Sequence, residues 1–182
     1  MVSLVRNDWG ESEEWCYFSD SDFLTPEDKI CEARFFLSQM RSEEDWDRFR
    51  WLTTAFVNAA YAFFEQVAML AYYRSTHSNT GEPLPDREVL QRLDEYVVVF
   101  FEKKRGRVKT GGKHPELSKL YELRRGAVHH FPMALHSKST SRPEEFRLED
   151  ANTPEGTPVL AFCRTVVGLM EKAWDEVGDF LM

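Results

Sequence analysis

Residues 49–70, FRWLTTAFVNAAYAFFEQVAML, decide how this chain folds. Apolar side chains recur at Phe49, Leu52, Phe56, Ala59, Phe63, Val67 and Leu70, at gaps of three and four. A helix with 3.6 residues per turn gathers such positions onto one stripe, as in a bundle seam. Just upstream, Ser42 offers an N-cap oxygen. Glu43, Glu44 and Asp45 then put negative charge where a first helical turn favours it. The pattern predicts one long organising helix from Ser42 to about Arg74. Thr53, Thr54, Asn58, Glu65 and Gln66 interrupt the apolar run, which marks a buried helix rather than a membrane span.

Shorter helices are predicted on either side. Thr25-Pro26-Glu27-Asp28 reads as an N-cap, a first-turn proline and early acids. That helix runs over 26–41 and buries Ile30, Ala33, Phe36, Leu37 and Met40. Thr76 to Pro85 is a loop. Asp86 caps a helix to about Lys104 with Val89, Leu90, Leu93, Tyr96, Val97, Phe100 and Phe101 inside. Val97-Val98-Val99 has strand propensity, but the longer helical period is preferred. Pro115 restarts a helix that ends before Pro132, because the residue preceding proline is pushed out of the helical region. Residues 133–156 read as irregular, with a short extended piece near 145–148. Thr157-Pro158 opens a last helix with Val159, Phe162, Val166, Met170, Trp174 and Val177 inside. The expected fold is all-α, an antiparallel bundle of about five helices over residues 25–182. Residues 1–24 form a separate acidic arm.

The composition fits a single domain with a real core: 182 residues, 42% hydrophobic, 30% charged. A net charge of −8 argues against a protein that coats nucleic acid indiscriminately, though not against a local basic cleft. Cys16, Cys31 and Cys163 are far apart and make no CxxC pair, so neither a zinc site nor a disulfide framework is indicated. A reducing, cytoplasmic setting is expected. Asp8, Glu11, Glu13 and Glu14 stand where a secretory signal would be apolar, so no signal peptide is expected.

The chemistry-bearing segment is Leu123-Arg124-Arg125-Gly126-Ala127-Val128-His129-His130-Phe131. It sets a permanent cation and a titratable imidazole within about two helical turns. That pair suffices for RNA cleavage in principle, because the 2′-hydroxyl of RNA is its own nucleophile. Cations at a helix C-terminus also serve simply to satisfy its carbonyls and dipole. At 100° per residue, positions 125 and 129 share a face, whereas 124 and 129 lie well apart. Geometry alone does not choose the arginine.

The segment resembles the hallmark of the HEPN family: an arginine, commonly followed by a polar residue, and a histidine after four to six intervening positions, near a helix end; four residues separate Arg124 from His129. Ala59-Ala60-Tyr61-Ala62-Phe63-Phe64-Glu65 is similar to the family's long helix. The resemblance spans residues 27–180. It implies a metal-independent endoribonuclease, often a toxin or antiviral-defence component, with its site at a homodimer interface and no cofactor. An antitoxin or nucleotidyltransferase partner is implied as well. By position, Arg124 would stabilise the scissile phosphate and His129 would transfer protons. Arg125 stands where the family has a polar residue. This second cation either strengthens phosphate binding or marks a non-catalytic member. His130 pairs with Arg125 if the register shifts by one. Glu65 and Asn58, seven residues apart on the long helix, are supporting candidates.

Upstream, Lys103, Lys104, Arg105, Arg107, Lys109 and Lys113 put six cations in eleven residues, read as a glycine-rich basic loop that attracts RNA. The bland reading is a solvated loop or a docking site for acidic protein. Gly106-Arg107-Val108-Lys109-Thr110-Gly111 mimics a phosphate-binding loop, but Gly112 stands where its lysine belongs, so NTPase chemistry is rejected. His77, His114 and His136 have no ligand spacing, and no metal site is expected. The alternative function is a non-catalytic helical module that binds RNA, a nucleotide or an acidic partner.

Overall fold

The computed structural model describes residues 25–77, 80, 82–85, 87–102, 105–129, 133–137, 142–149 and 154–181. The acidic arm expected over 1–24 lies outside these residues. Helix α1 (Pro26–Met40) starts where its sequence says it should. Pro26 takes the first position, and the Asp28 carboxylate accepts the Thr25 N–H at 2.8 Å. Ile30, Ala33, Leu37 and Met40 are buried, and Phe36 is half-buried.

Helix α2 (Trp46–Arg74) is 29 residues long and unbroken through Ala59-Ala60. Its cap is Asp45, not Ser42: the Asp45 carboxylate accepts the Arg48 N–H at 2.9 Å. Ser42 instead points its hydroxyl back to the Gln39 carbonyl at the end of α1. Of the predicted stripe, Phe49, Phe56, Ala59, Phe63 and Val67 are buried, while Leu52 and Leu70 are half-buried. Val57, Ala60, Phe64, Ala68 and Ala71 are buried too. The buried surface is wider than a seam because α2 is covered from several sides, by α1, a C-terminal helix, a further helix and a strand.

The chain departs from the expected bundle between 88 and 111. The helix foreseen to Lys104 stops after α3 (Glu88–Leu93). A hairpin follows: β1 (Val97–Glu102) pairs antiparallel with β2 (Arg105–Gly111). Val97 is buried and Val108 faces in opposite Val99, while Val98 and Phe100 are exposed, the two-residue alternation of a half-buried strand. Three successive β-branched residues lose side-chain freedom in a helix and fit a pleated surface. The glycines that read as loop residues allow close approach. A Cβ on Gly106 would stand 1.9 Å from the Ala68 carbonyl oxygen of α2. On Gly111 it would stand 2.2 Å from the Ser118 amide nitrogen. The segment 105–111 is therefore a strand pressed onto helices, not a basic loop.

Helix α4 (Pro115–His129) ends just before the motif's second histidine. A small sheet of two-residue strands then forms in the order β3 (Leu135–His136), β4 (Arg147–Leu148), β5 (Thr157–Pro158). The stretch read as irregular thus carries the frame that seats Phe146, which is 1% exposed and packs on Phe49 and Trp46 at ring distances of 4.3 and 5.1 Å. Gly156 holds φ +74 before β5, a conformation that suits glycine. Helix α5 (Val159–Leu181) closes the core with Val159, Phe162, Val166, Met170 and Val177 buried, and Trp174 partly so. The fold is mostly helical, with five α-helices and two small antiparallel sheets among the described residues. None of those helices is long and apolar enough to cross a membrane.

Candidate functional site

Helix α4 crosses α2 so that Arg124 meets Tyr61. The Arg124 guanidinium lies over the Tyr61 ring at 5.5 Å from its centroid. Tyr121, one turn earlier on α4, sets its ring 6.1 Å from the same tyrosine. The Tyr61 hydroxyl donates to Glu65 Oε1 at 2.5 Å, one turn along α2. The same oxygen accepts the Val108 amide of β2 at 3.3 Å. Arg124, Tyr61, Glu65 and the hairpin backbone therefore form one connected chain of contacts.

The electrostatics follow from this arrangement. Burial pushes the Tyr61 phenol well above its ordinary pKa, and the hydrogen bond to Glu65 and that residue's charge push it further; Arg124 pulls weakly the other way. Tyr61 stays a neutral phenol across the whole physiological range. It offers Arg124 an aromatic face and donates a hydrogen bond to Glu65 while keeping its proton. A cation–π contact of this kind is worth about 0.5–1 kcal/mol at a partly exposed site. Its role here is placement. Arg124 is half-buried, and among the described residues neither an ion pair nor an oxygen acceptor takes its N–H groups.

The other sequence candidates fall at varied distances from this cluster. Arg125 and Gly126 are exposed on the outer side of α4. His129 is the last residue of that helix, and His130 lies outside the described residues. Glu65 is half-buried and spent on tying α2 to β2, so it is an anchor for Tyr61 rather than a free acid. Asn58 is exposed one turn before Tyr61, on the stripe that continues to Glu65.

The basic run is divided. Lys103 and Lys104 lie outside the described residues. Arg105 opens β2, and Arg107 and Lys109 are exposed on its outer face. Register shifts between Val98 and Val99, so that Lys109 is the extra residue of a bulge between Val108 and Thr110. Lys113 does not join them: its ammonium is 3.3 Å from the Glu95 carboxylate. His114 stacks on the buried Tyr96 at 5.6 Å, and His136 sits in β3 near the Glu155 carbonyl. Among the described residues no group of three His, Cys, Asp or Glu side chains is placed to hold a metal ion.

Tyr61 and Tyr121 are the site residues that sequence reasoning missed. A signal was present: Tyr61 stands four before Glu65 and Tyr121 three before Arg124, each spacing that of neighbours on a helix face. No protein-family model, curated protein or solved structure matches this chain.

Proposed function

We propose that this chain is a metal-independent endoribonuclease of the HEPN type that works as a homodimer. The observation that carries the reading is the condition of Arg124. A cation that merely completes a helix end bonds carbonyls or carboxylates of its own chain. Arg124 instead rests on a neutral aromatic ring, with its donor fork free of oxygen acceptors among the described residues. A guanidinium so held is ready to take a phosphate in bidentate fashion.

In the proposed reaction the RNA 2′-hydroxyl attacks the adjacent phosphorus in line, and the bond to the 5′-oxygen breaks. His129 moves the protons, Arg124 holds the charge that grows on the phosphoryl oxygens, and the product ends in a 2′,3′-cyclic phosphate. Positions 124 and 129 differ by roughly 140° around α4. A two-fold assembly that apposes two such helix ends would resolve this by pairing Arg124 of one protomer with His129 of the other. Arg125, and His130 beyond it, would flank the same cleft. Arg107 and Lys109 on the outer face of β2, together with Lys103, Lys104 and Arg105, would draw RNA toward it. A toxin or defence role, with an antitoxin or nucleotidyltransferase as partner, belongs to the same reading.

The test is incubation of the purified protein with structured and single-stranded RNA in EDTA. Cleavage leaving cyclic phosphate ends, lost on His129→Ala, supports the proposal. Saturable RNA binding without cleavage would assign the chain to the non-catalytic module instead.

A further inference from the structure

A second cluster of arginines stands on other elements, in a groove between α1 and α5. Its walls come from positions 34, 37 and 38 of α1, from Arg41 that caps its end, and from 164, 167, 168 and 171 of α5. The same spacing on both helices means that one face of each lines the groove. The cavity holds about 370 Å³, within the range of small-molecule sites.

The charges in the groove are unequal. Arg34 is committed: its Nε and Nη2 reach Glu171 Oε1 at 2.8 and 2.7 Å. Arg41 and Arg164 line the same cavity and make no ion pair among the described residues. Glu171, the only carboxylate among the described residues that line the cavity, is already engaged by Arg34. Two guanidiniums are thus left over in a chain whose net charge is −8. Leu37 and Val167 add apolar surface to the same lining. Gly168 widens it: a Cβ there would meet nothing within 4 Å. Mid-helix glycine weakens a helix relative to alanine, and no close neighbour requires it here.

We infer that this groove binds a small molecule made of a doubly charged oxyanion joined to an apolar body. The oxyanion lies between Arg41 and Arg164, where guanidinium forks fit two oxygens each. The apolar body covers Leu37 and Val167 and fills the space beside Gly168. A bare inorganic anion would leave most of the cavity empty. Phosphomonoesters and dicarboxylates share the required charge. The site stands independently of the nuclease reading, since neither Arg124 nor His129 takes part.

The experiment is calorimetric titration of the full chain with phenyl phosphate, phthalate and inorganic phosphate at constant ionic strength. One-to-one binding of phenyl phosphate or phthalate at millimolar concentration or below is expected, and the tighter of the two assigns the ligand class. Inorganic phosphate should bind more weakly than phenyl phosphate. Arg41→Gln and Arg164→Gln should each weaken binding about tenfold, the worth of one charged hydrogen-bonding partner. Gly168→Leu should block the site by bulk while leaving every charge in place. Saturation by neither organic probe overturns the inference, as does binding that survives both the double arginine variant and Gly168→Leu. Equal affinity for phosphate and phenyl phosphate would remove the apolar subsite. Circular dichroism of each variant separates loss of binding from loss of fold.

Discussion

Two glycine-to-alanine changes should move stability in opposite directions. At Gly106 an added Cβ would meet the Ala68 oxygen at 1.9 Å, the Ala68 carbonyl carbon at 2.7 Å and Tyr72 Cβ at 2.9 Å. Ordinary contact begins near 3.4 Å, so β2 must lift from α2 by roughly 1.5 Å (3.4 less 1.9). Two of the three obstacles are backbone and cannot rotate away. Overpacking of this kind costs about 1–3 kcal/mol. The same lift draws the Val108 amide off Glu65, a bond already 3.3 Å long, and a hydrogen bond to a charged group adds about 1.5 kcal/mol or more. Gly106→Ala should therefore destabilise by about 2.5–4.5 kcal/mol. At Gly126, an exposed helical position with nothing within 4 Å of the added carbon, alanine should stabilise by about 0.5–1 kcal/mol. Urea denaturation followed by circular dichroism reads both, as midpoint shifts at constant slope. A Gly106→Ala protein as stable as wild type would refute the placement of the hairpin against α2. So would a stabilisation, since alanine in a helix continued past Leu93 would give that sign.

Further outcomes follow from other contacts. Asp45→Ala should cost about 1 kcal/mol through the lost cap on α2, whereas Ser42→Ala should change stability by less than about half that, both read by the same denaturation. In a Cys16→Ser background, a thiol reagent should modify the exposed Cys31 at once and reach Cys163 only after unfolding. Burial both hides the Cys163 thiol and pushes its pKa up, which keeps it protonated and unreactive. Neutralising Lys103, Lys104, Arg105 and Arg107 together should weaken RNA binding and flatten its salt dependence, because fewer counterions are released; an unchanged slope in a filter-binding series would assign these cations to solvent or to a protein partner. Tyr61→Phe should keep the ring under Arg124 and most of the cleavage, while Tyr61→Leu should lower cleavage further by removing that ring.

Much of the helical frame was legible because local signals and the apolar period agreed. Helix α1 has a threonine, a proline and acids in order at its start. Helix α5 keeps one apolar stripe to its end. Where two signals competed, the sequence was ambiguous. Ser42 and Asp45 are both good caps three residues apart, and only the packing of α1 on α2 decides between them. Tyr96, Val97, Phe100 and Phe101 fit a helical period, while Val97-Val98-Val99 fits a strand. The decision comes from Gly106 and Gly111, whose missing side chains let β2 lie on α2 and α4. That is a long-range fact no local window contains. The candidate site divides similarly. Arg124 was legible as an unusual cation near a histidine. Its support by Tyr61 arises only because α4 crosses α2. Glu65 was legible only as a supporting candidate on the long helix; its partners, the Tyr61 hydroxyl and the Val108 amide, are set by how β2 lies on α2.

The most direct measurement is RNA cleavage by the purified chain in EDTA, compared with His129→Ala and Arg124→Ala at matched folded concentration. The account predicts cleavage to 2′,3′-cyclic phosphate ends by the wild type. His129→Ala should lose about 10²–10⁴-fold in rate, as expected for removing a proton-transfer group. Arg124→Ala should also lower the rate, through lost stabilisation of phosphoryl charge. His130→Ala should be milder, and Arg125→Ala reports whether the second arginine assists or restrains the site. A wild type that cleaves no RNA, or cleavage that survives loss of both histidines, would contradict the nuclease account.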